Sequence, residues 1–97
     1  MIPKRSGRKT DMWKIEFGSE AVKDARKIKS SPLAGKVREL LSVLAENPFQ
    51  SPPPYEKLVP PTANTYSRRI NRQHRLTYRI YKEEGVVKIL RMWTHYE

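Results

Sequence analysis

The chain has 97 residues, enough for one domain with a modest core and too few for two. Lysine and arginine number 20 against 10 acidic residues, a formal net charge of +10 with a pI near 10.2, and such an excess favours a polyanionic partner: nucleic acid, an anionic membrane or an acidic protein. The absence of cysteine excludes disulfides and thiolate metal sites. Two histidines without a carboxylate cluster offer no metal ligand set, no apolar run approaches the roughly 18–20 residues of a membrane span, and no apolar signal-peptide core follows the basic start. The expectation is a cytoplasmic protein that needs neither metal nor cofactor.

Residues 1–11 lack periodicity and read as a mobile basic arm, with RNA binding and a start-site remnant both open, ahead of one domain over residues 12–97. Met12–Phe17 alternates Trp13, Ile15 and Phe17 against Lys14 and Glu16, the pattern of a half-buried strand. Gly18-Ser19 ends it, and Ser19 can cap a helix that carries Ala21, Ala25 and Ile28 on one face, with Lys23, Asp24, Arg26 and Lys27 around the rest. Ser31-Pro32 predicts the start of a second helix, whose Leu33, Val37, Leu40, Leu41 and Leu44 supply much of the core before Asn47-Pro48 stops it.

Six prolines fall between residues 47 and 64 (Pro48, Pro52, Pro53, Pro54, Pro60 and Pro61), which removes too many backbone donors for a helix or a central strand. Phe49, Tyr55 and Leu58 are available to pin this loop, and a stiff loop on a packed domain is a common carrier of functional residues. Strands are predicted over 65–70, 75–81 and 86–96, with Glu83-Glu84-Gly85 as the last turn. The order βααβββ fits an α+β domain, an antiparallel twisted sheet with a helical hairpin on one face.

Strand parity gives the sharpest inference. If Ile70 and Leu76 face the core, Arg69 and Arg75 face the other way on strands joined by a short hairpin. Two arginines side by side repel one another, and a phosphate between them would relieve that; two guanidinium groups fanned into water are the bland alternative. Tyr66 and Arg68 share the parity of Ile70, so a regular strand aims them coreward; either a bulge intervenes or Arg68 is structural, and the alternation leaves both open. Cleavage of RNA by its own 2′-hydroxyl requires a base, cationic donors for the phosphorane charge and an acid for the departing 5′-oxygen. Glu56 in the stiff loop, the Arg69–Arg75 pair and His95 near the chain end are side chains of those types. A solvated Glu56 and a structural His95 are the competing readings. His74, in the hairpin, suits a turn role or a phosphate contact.

Asn47-Pro48-Phe49, Glu56-Lys57-Leu58, Tyr66-Ser67-Arg68-Arg69-Ile70, His74-Arg75-Leu76-x-Tyr78 and the closing His95-Tyr96 together resemble the Txe/YoeB toxins of the RelE superfamily, over about residues 12–96. The resemblance implies a RelE-like fold and a metal-independent, ribosome-dependent endoribonuclease that cuts mRNA in the A site of the 70S ribosome and stops translation. By matching positions, Glu56 is similar to the general base, His95 to the general acid and Arg75 to the arginine that stabilises the transition state. Arg69 matches a further phosphate contact, Tyr96 the tyrosine that orients substrate or assists His95, and Arg68 and Tyr66 stand in the RNA-binding block, Tyr66 offering an aromatic surface to a base. The resemblance also implies a Phd/YefM-type antitoxin with an acidic tail; homodimerisation is left open. Val59 departs from the usual lysine of the pattern, Pro61 to Tyr66 replaces its customary Asn-Leu-Ser-Gly and tryptophan, and Glu97 follows the terminal His-Tyr. Two other functions share parts of this reading, a ParE-like gyrase poison and a non-catalytic RNA- or ribosome-binding module.

Overall fold

The computed structural model describes residues 12–58 and 64–93. The basic arm expected over 1–11 therefore lies outside the described residues, as do His95 and Tyr96. Along the chain run β1 (Lys14–Phe17), α1 (Ser19–Lys29), α2 (Ala34–Glu46), β2 (Glu56–Lys57), β3 (Thr65–Arg69), β4 (Arg75–Tyr81) and β5 (Val86–Arg91). The strands form one sheet in the order β1-β5-β4-β3-β2.

This is the expected α+β class, with one change in the sheet. β1 runs parallel to β5, Lys14 opposite Val86 and Phe17 opposite Ile89, so the sheet is mixed where a wholly antiparallel one was expected. Hairpins fix direction only between strands adjacent in sequence, and β1 and β5 are the first and last strands of the order.

The helices cover one face. Ala21 and Ile28 from α1 and Val37, Leu40 and Leu44 from α2 join Leu76, Tyr78, Ile80, Val87 and Ile89 in one buried cluster. Burying each of the larger aliphatic side chains contributes on the order of 1.5–3 kcal/mol, which outweighs the weak intrinsic preferences of two short helices. Strict alternation along β4, with Leu76, Tyr78 and Ile80 buried and Arg75, Thr77 and Arg79 partly exposed, marks the other face as open.

Two helix starts differ from the sequence reading. Gly18, not Ser19, occupies the N-cap of α1. The Ser31 hydroxyl accepts from the Leu33 amide at 3.1 Å and donates to the Ile28 carbonyl at 2.9 Å, closing a separate turn, so α2 begins only at Ala34. In the β4–β5 turn Gly85 adopts φ +68°, a conformation that side chains with a Cβ disfavour.

Asp24 departs furthest from expectation. Placed among the solvated residues of α1 by its charge, it is only 1% exposed. Its Oδ2 accepts from Arg91 Nε at 2.9 Å, from the Met92 amide at 2.9 Å and from the Trp93 amide at 3.2 Å, and its Oδ1 accepts from Arg91 Nη2 at 3.3 Å. Burial pushes this carboxyl group upward, but Arg91 and the two amides more than offset that and hold it below the usual carboxylate range.

Candidate active site

The proline-rich segment is held in place from inside the sheet. Arg68, 1% exposed, sends its guanidinium under the loop. There Nη2 donates to the carbonyls of Pro48 (2.9 Å) and Gln50 (2.8 Å), Nη1 donates to that of Pro53, and Nε donates to the Tyr78 hydroxyl at 3.0 Å. Loop carbonyls facing a protein interior need donors, and a planar five-donor group supplies several at once. The same guanidinium lies over the Tyr55 ring at 4.9 Å.

Rings complete the anchorage. Tyr66 stacks on Tyr78, with centroids 6.0 Å apart at 20°, and meets Phe49 and Tyr55 edge-on at 6.0 and 5.8 Å. Of the two courses left open, Tyr66 and Arg68 take the inward one of a regular strand. Their expected roles in binding RNA do not fit this placement, because the Tyr66 ring is packed among aromatics and the Arg68 donors are spent on the loop.

So anchored, the loop delivers Glu56 to the sheet edge. Sequence reading placed Glu56 in a loop. It stands instead in β2, a strand of two residues, opposite Ser67 of β3, while Lys57 stands opposite Tyr66. Two residues flanked by prolines carry no alternation, so this strand leaves no periodic signal. On the next strand pair Arg69 stands directly opposite Arg75, as parity required.

Glu56, Arg69 and Arg75 thereby come together. They line an open cleft of about 260 Å³ with Pro54, Tyr55 and Ser67. Arg75 Nη2 donates to Glu56 Oε1 at 3.0 Å. The Glu56 side chain is 67% exposed, and an ion pair this open to water adds little stability, so its consequence is positional. The like charges of Arg69 and Arg75 sit on adjacent strands with the Glu56 carboxylate beside them, an arrangement that suits a phosphate oxygen.

Two cleft residues escaped the sequence reading. Tyr55, considered only as a loop anchor, is the aromatic side chain that lines the cleft. Ser67 is 3% exposed, and its hydroxyl makes no hydrogen bond among the described residues. It shares the parity of Arg69, so the rule that found the arginines also points to this serine. His74 is buried and belongs to the hairpin: its carbonyl accepts from the Ile70 and Asn71 amides, and its ring stacks on Trp93 with centroids 4.3 Å apart. No helix among the described residues is long and apolar enough to cross a membrane.

The family model for the YoeB-like toxin of bacterial type II toxin–antitoxin systems matches residues 17–96. Among solved structures, a YoeB/ParE toxin from Agrobacterium tumefaciens superposes with a TM-score of 0.77 at 22% identity, over 86% of this chain and 99% of the other. A YoeB–YefM complex from Staphylococcus aureus gives 0.73 at 30% identity, covering 87% of this chain and 98% of that one. The YoeB dimer of the same organism gives 0.73 at 29%, covering 88% and 99%. No sequence among the curated proteins matches significantly.

Proposed function

The chain belongs to the YoeB-like toxins of bacterial type II toxin–antitoxin systems, and from that premise we propose that it is a ribosome-dependent endoribonuclease that cleaves mRNA in the A site without a metal. The observation that carries this reading is the convergence of Glu56, Arg69 and Arg75 on one open cleft.

With an RNA phosphodiester between the two arginines, Glu56 takes the proton of the 2′-hydroxyl. The freed oxygen attacks phosphorus, and the bond to the 5′-oxygen breaks. His95 gives its proton to that departing oxygen, leaving a 2′,3′-cyclic phosphate and a 5′-hydroxyl. Arg75 and Arg69 meet the charge that grows on the non-bridging oxygens, a contribution of several kcal/mol when donors are fixed in advance. Acid and base each add typically about 10²- to 10⁴-fold.

The Glu56–Arg75 contact suits this sequence of events. Before RNA arrives, the carboxylate partners a guanidinium that the incoming phosphate would claim, and so becomes free to accept a proton. Tyr96 orients the substrate or assists His95. Tyr55 replaces Tyr66 as the ring available to a base.

YoeB from Staphylococcus aureus occurs with YefM and as a dimer. The partner proposed for this chain is likewise a Phd/YefM-type antitoxin, whose acidic tail would answer a net charge of +10; a homodimer is a second assembly to examine.

The experiment is translation in vitro with added protein, followed by mapping of mRNA 3′ ends. Cuts within ribosome-positioned codons that Arg75→Ala and His95→Gln slow by about 10²-fold or more, while ribosome binding persists, support the reading. Trapped DNA breaks with intact mRNA would make the chain a gyrase poison. Inhibition indifferent to His95→Gln and weakened by each arginine change, with steep salt dependence, would make it a non-catalytic binder.

A further inference from the structure

Ser67 carries a hydroxyl that the fold leaves unused. Its oxygen is shut off from solvent and has no hydrogen-bond partner among the described residues. A buried hydroxyl in that state is destabilising, and such groups are few in folded proteins. This one belongs to a residue that lines the cleft, on the same face of β3 as Arg69 and directly opposite Glu56 of β2. Across the other edge of β3 stands Thr77 of β4, two residues from Arg75. The strand order shows what passes over it. Because β3 lies between β2 and β4, the bond from Arg75 Nη2 to Glu56 Oε1 spans two strand intervals, about 9–10 Å of sheet. Glu56 is level with Ser67, and Arg75 is level with Arg69. The ion pair therefore arches over the open face of β3 between those two residues, and an anion that takes Arg75 from Glu56 removes the arch.

We propose that Ser67 is a third phosphate donor of this cleft, uncovered when an RNA phosphate draws Arg75 off Glu56. Its hydroxyl then donates to a non-bridging oxygen held between the Arg69 and Arg75 guanidinium groups. A hydroxyl proton rotates toward whichever acceptor arrives, and an ionised acceptor makes the stronger bond. Since no such bond exists in the free chain, its whole strength goes to the complex. The inference deepens the endoribonuclease reading and rests on it for one point, that the anion between the two arginines is an RNA phosphate. One substitution should then have opposite effects on the free protein and on the complex.

The test is Ser67→Ala in the full chain, followed by urea unfolding, NMR titration with adenosine 3′-monophosphate and single-turnover cleavage on programmed ribosomes. The urea midpoint should stay level or rise, because an unpaired buried group has been removed. Nucleotide binding should weaken about tenfold and cleavage should slow by about tenfold or more, as one hydrogen bond to a charged oxygen is lost. Should Ser67→Ala fail to fold, Ser67→Cys, similar in size and a weaker donor, carries the same comparison. A lower midpoint with binding and rate unchanged makes the hydroxyl structural and overturns the proposal. Nucleotide binding that is absent from the wild-type chain, or indifferent to the substitution, overturns it too. The two readings fail separately. A wild-type chain that binds the nucleotide through Ser67 yet cuts no RNA keeps the phosphate site and loses the nuclease; one that cuts RNA at a rate indifferent to Ser67→Ala keeps the nuclease and loses the proposal.

Discussion

Among the described residues, two carboxylate–guanidinium pairs of nearly equal length have opposite surroundings. Asp24 and Arg91 meet at 2.9 Å with the carboxylate side chain 2% and the arginine 41% exposed; Glu56 and Arg75 meet at 3.0 Å with the carboxylate 67% and the arginine 22% exposed. Distance therefore says little about role. Asp24 accepts four hydrogen bonds, with donors from one side chain and two amides. Glu56 accepts only from Arg75 among the described residues, which leaves its other oxygen for a proton. A carboxylate that holds four hydrogen bonds in the interior is structural, whereas one with a single described partner at a cleft is able to do chemistry.

The largest effect should come from breaking the buried pair outright. Asp24→Ala leaves the Met92 and Trp93 amides without an acceptor, at a cost of about 1–3 kcal/mol for each buried group that water cannot reach. A fall of about 2–4 kcal/mol in urea-unfolding stability is expected. A fall of only a few tenths would mean that the pair matters as little as an exposed one.

Arg75→Ala should invert that result. Cleavage is expected to fall by about 10²- to 10³-fold, the usual loss when one pre-aimed donor to a transition state is removed. Stability should change by less than about 1 kcal/mol, because the ion pair it breaks is open to solvent. Single-turnover rates and a denaturant titration on the same preparation check both halves.

Acidity sharpens the contrast further. The Asp24 carboxyl group titrates below its ordinary value in the folded chain, so its contribution to stability is fully present above the unfolded value of about 3.9 and is lost as pH falls through the lower folded one. The wild-type chain should therefore lose stability as pH falls below about 4 more steeply than Asp24→Asn, in which that titration is gone. Parallel acid limbs in the two proteins would remove Asp24 from the explanation.

Much of this contrast could be read in the sequence on one side only. The placement of Arg69 and Arg75 followed from the alternation of β3 and β4, because parity in a half-buried sheet is set by which residues are apolar. For Arg68 the same rule left a strand bulge and a structural inward course both open, and its loop carbonyl partners explain why a charge tolerates the interior. Glu56 was identified without its strand, since two residues cannot show a period. Asp24 was misread because helical patterning sorts residues by polarity, and its partners lie 67 to 69 residues away in sequence. The parallel course of β1 was hidden for a similar reason: its neighbour is the last strand.

The smallest expected effect is the most discriminating. Glu56→Gln removes a charge from the open pair and keeps the size and shape of the side chain. Two consequences then add: the attraction to Arg75 is lost, and the repulsion between Arg75 and Arg69 is no longer offset by the Glu56 carboxylate. Both are screened in water, with a Debye length of about 8 Å at physiological ionic strength. The stability change should stay within about 0.5 kcal/mol and shrink as salt is raised. Cleavage should nevertheless fall by about 10²-fold or more, because an amide cannot accept the 2′-hydroxyl proton. If Glu56→Gln left the rate intact, the base would have to be sought elsewhere, and the open pair would be only a surface contact.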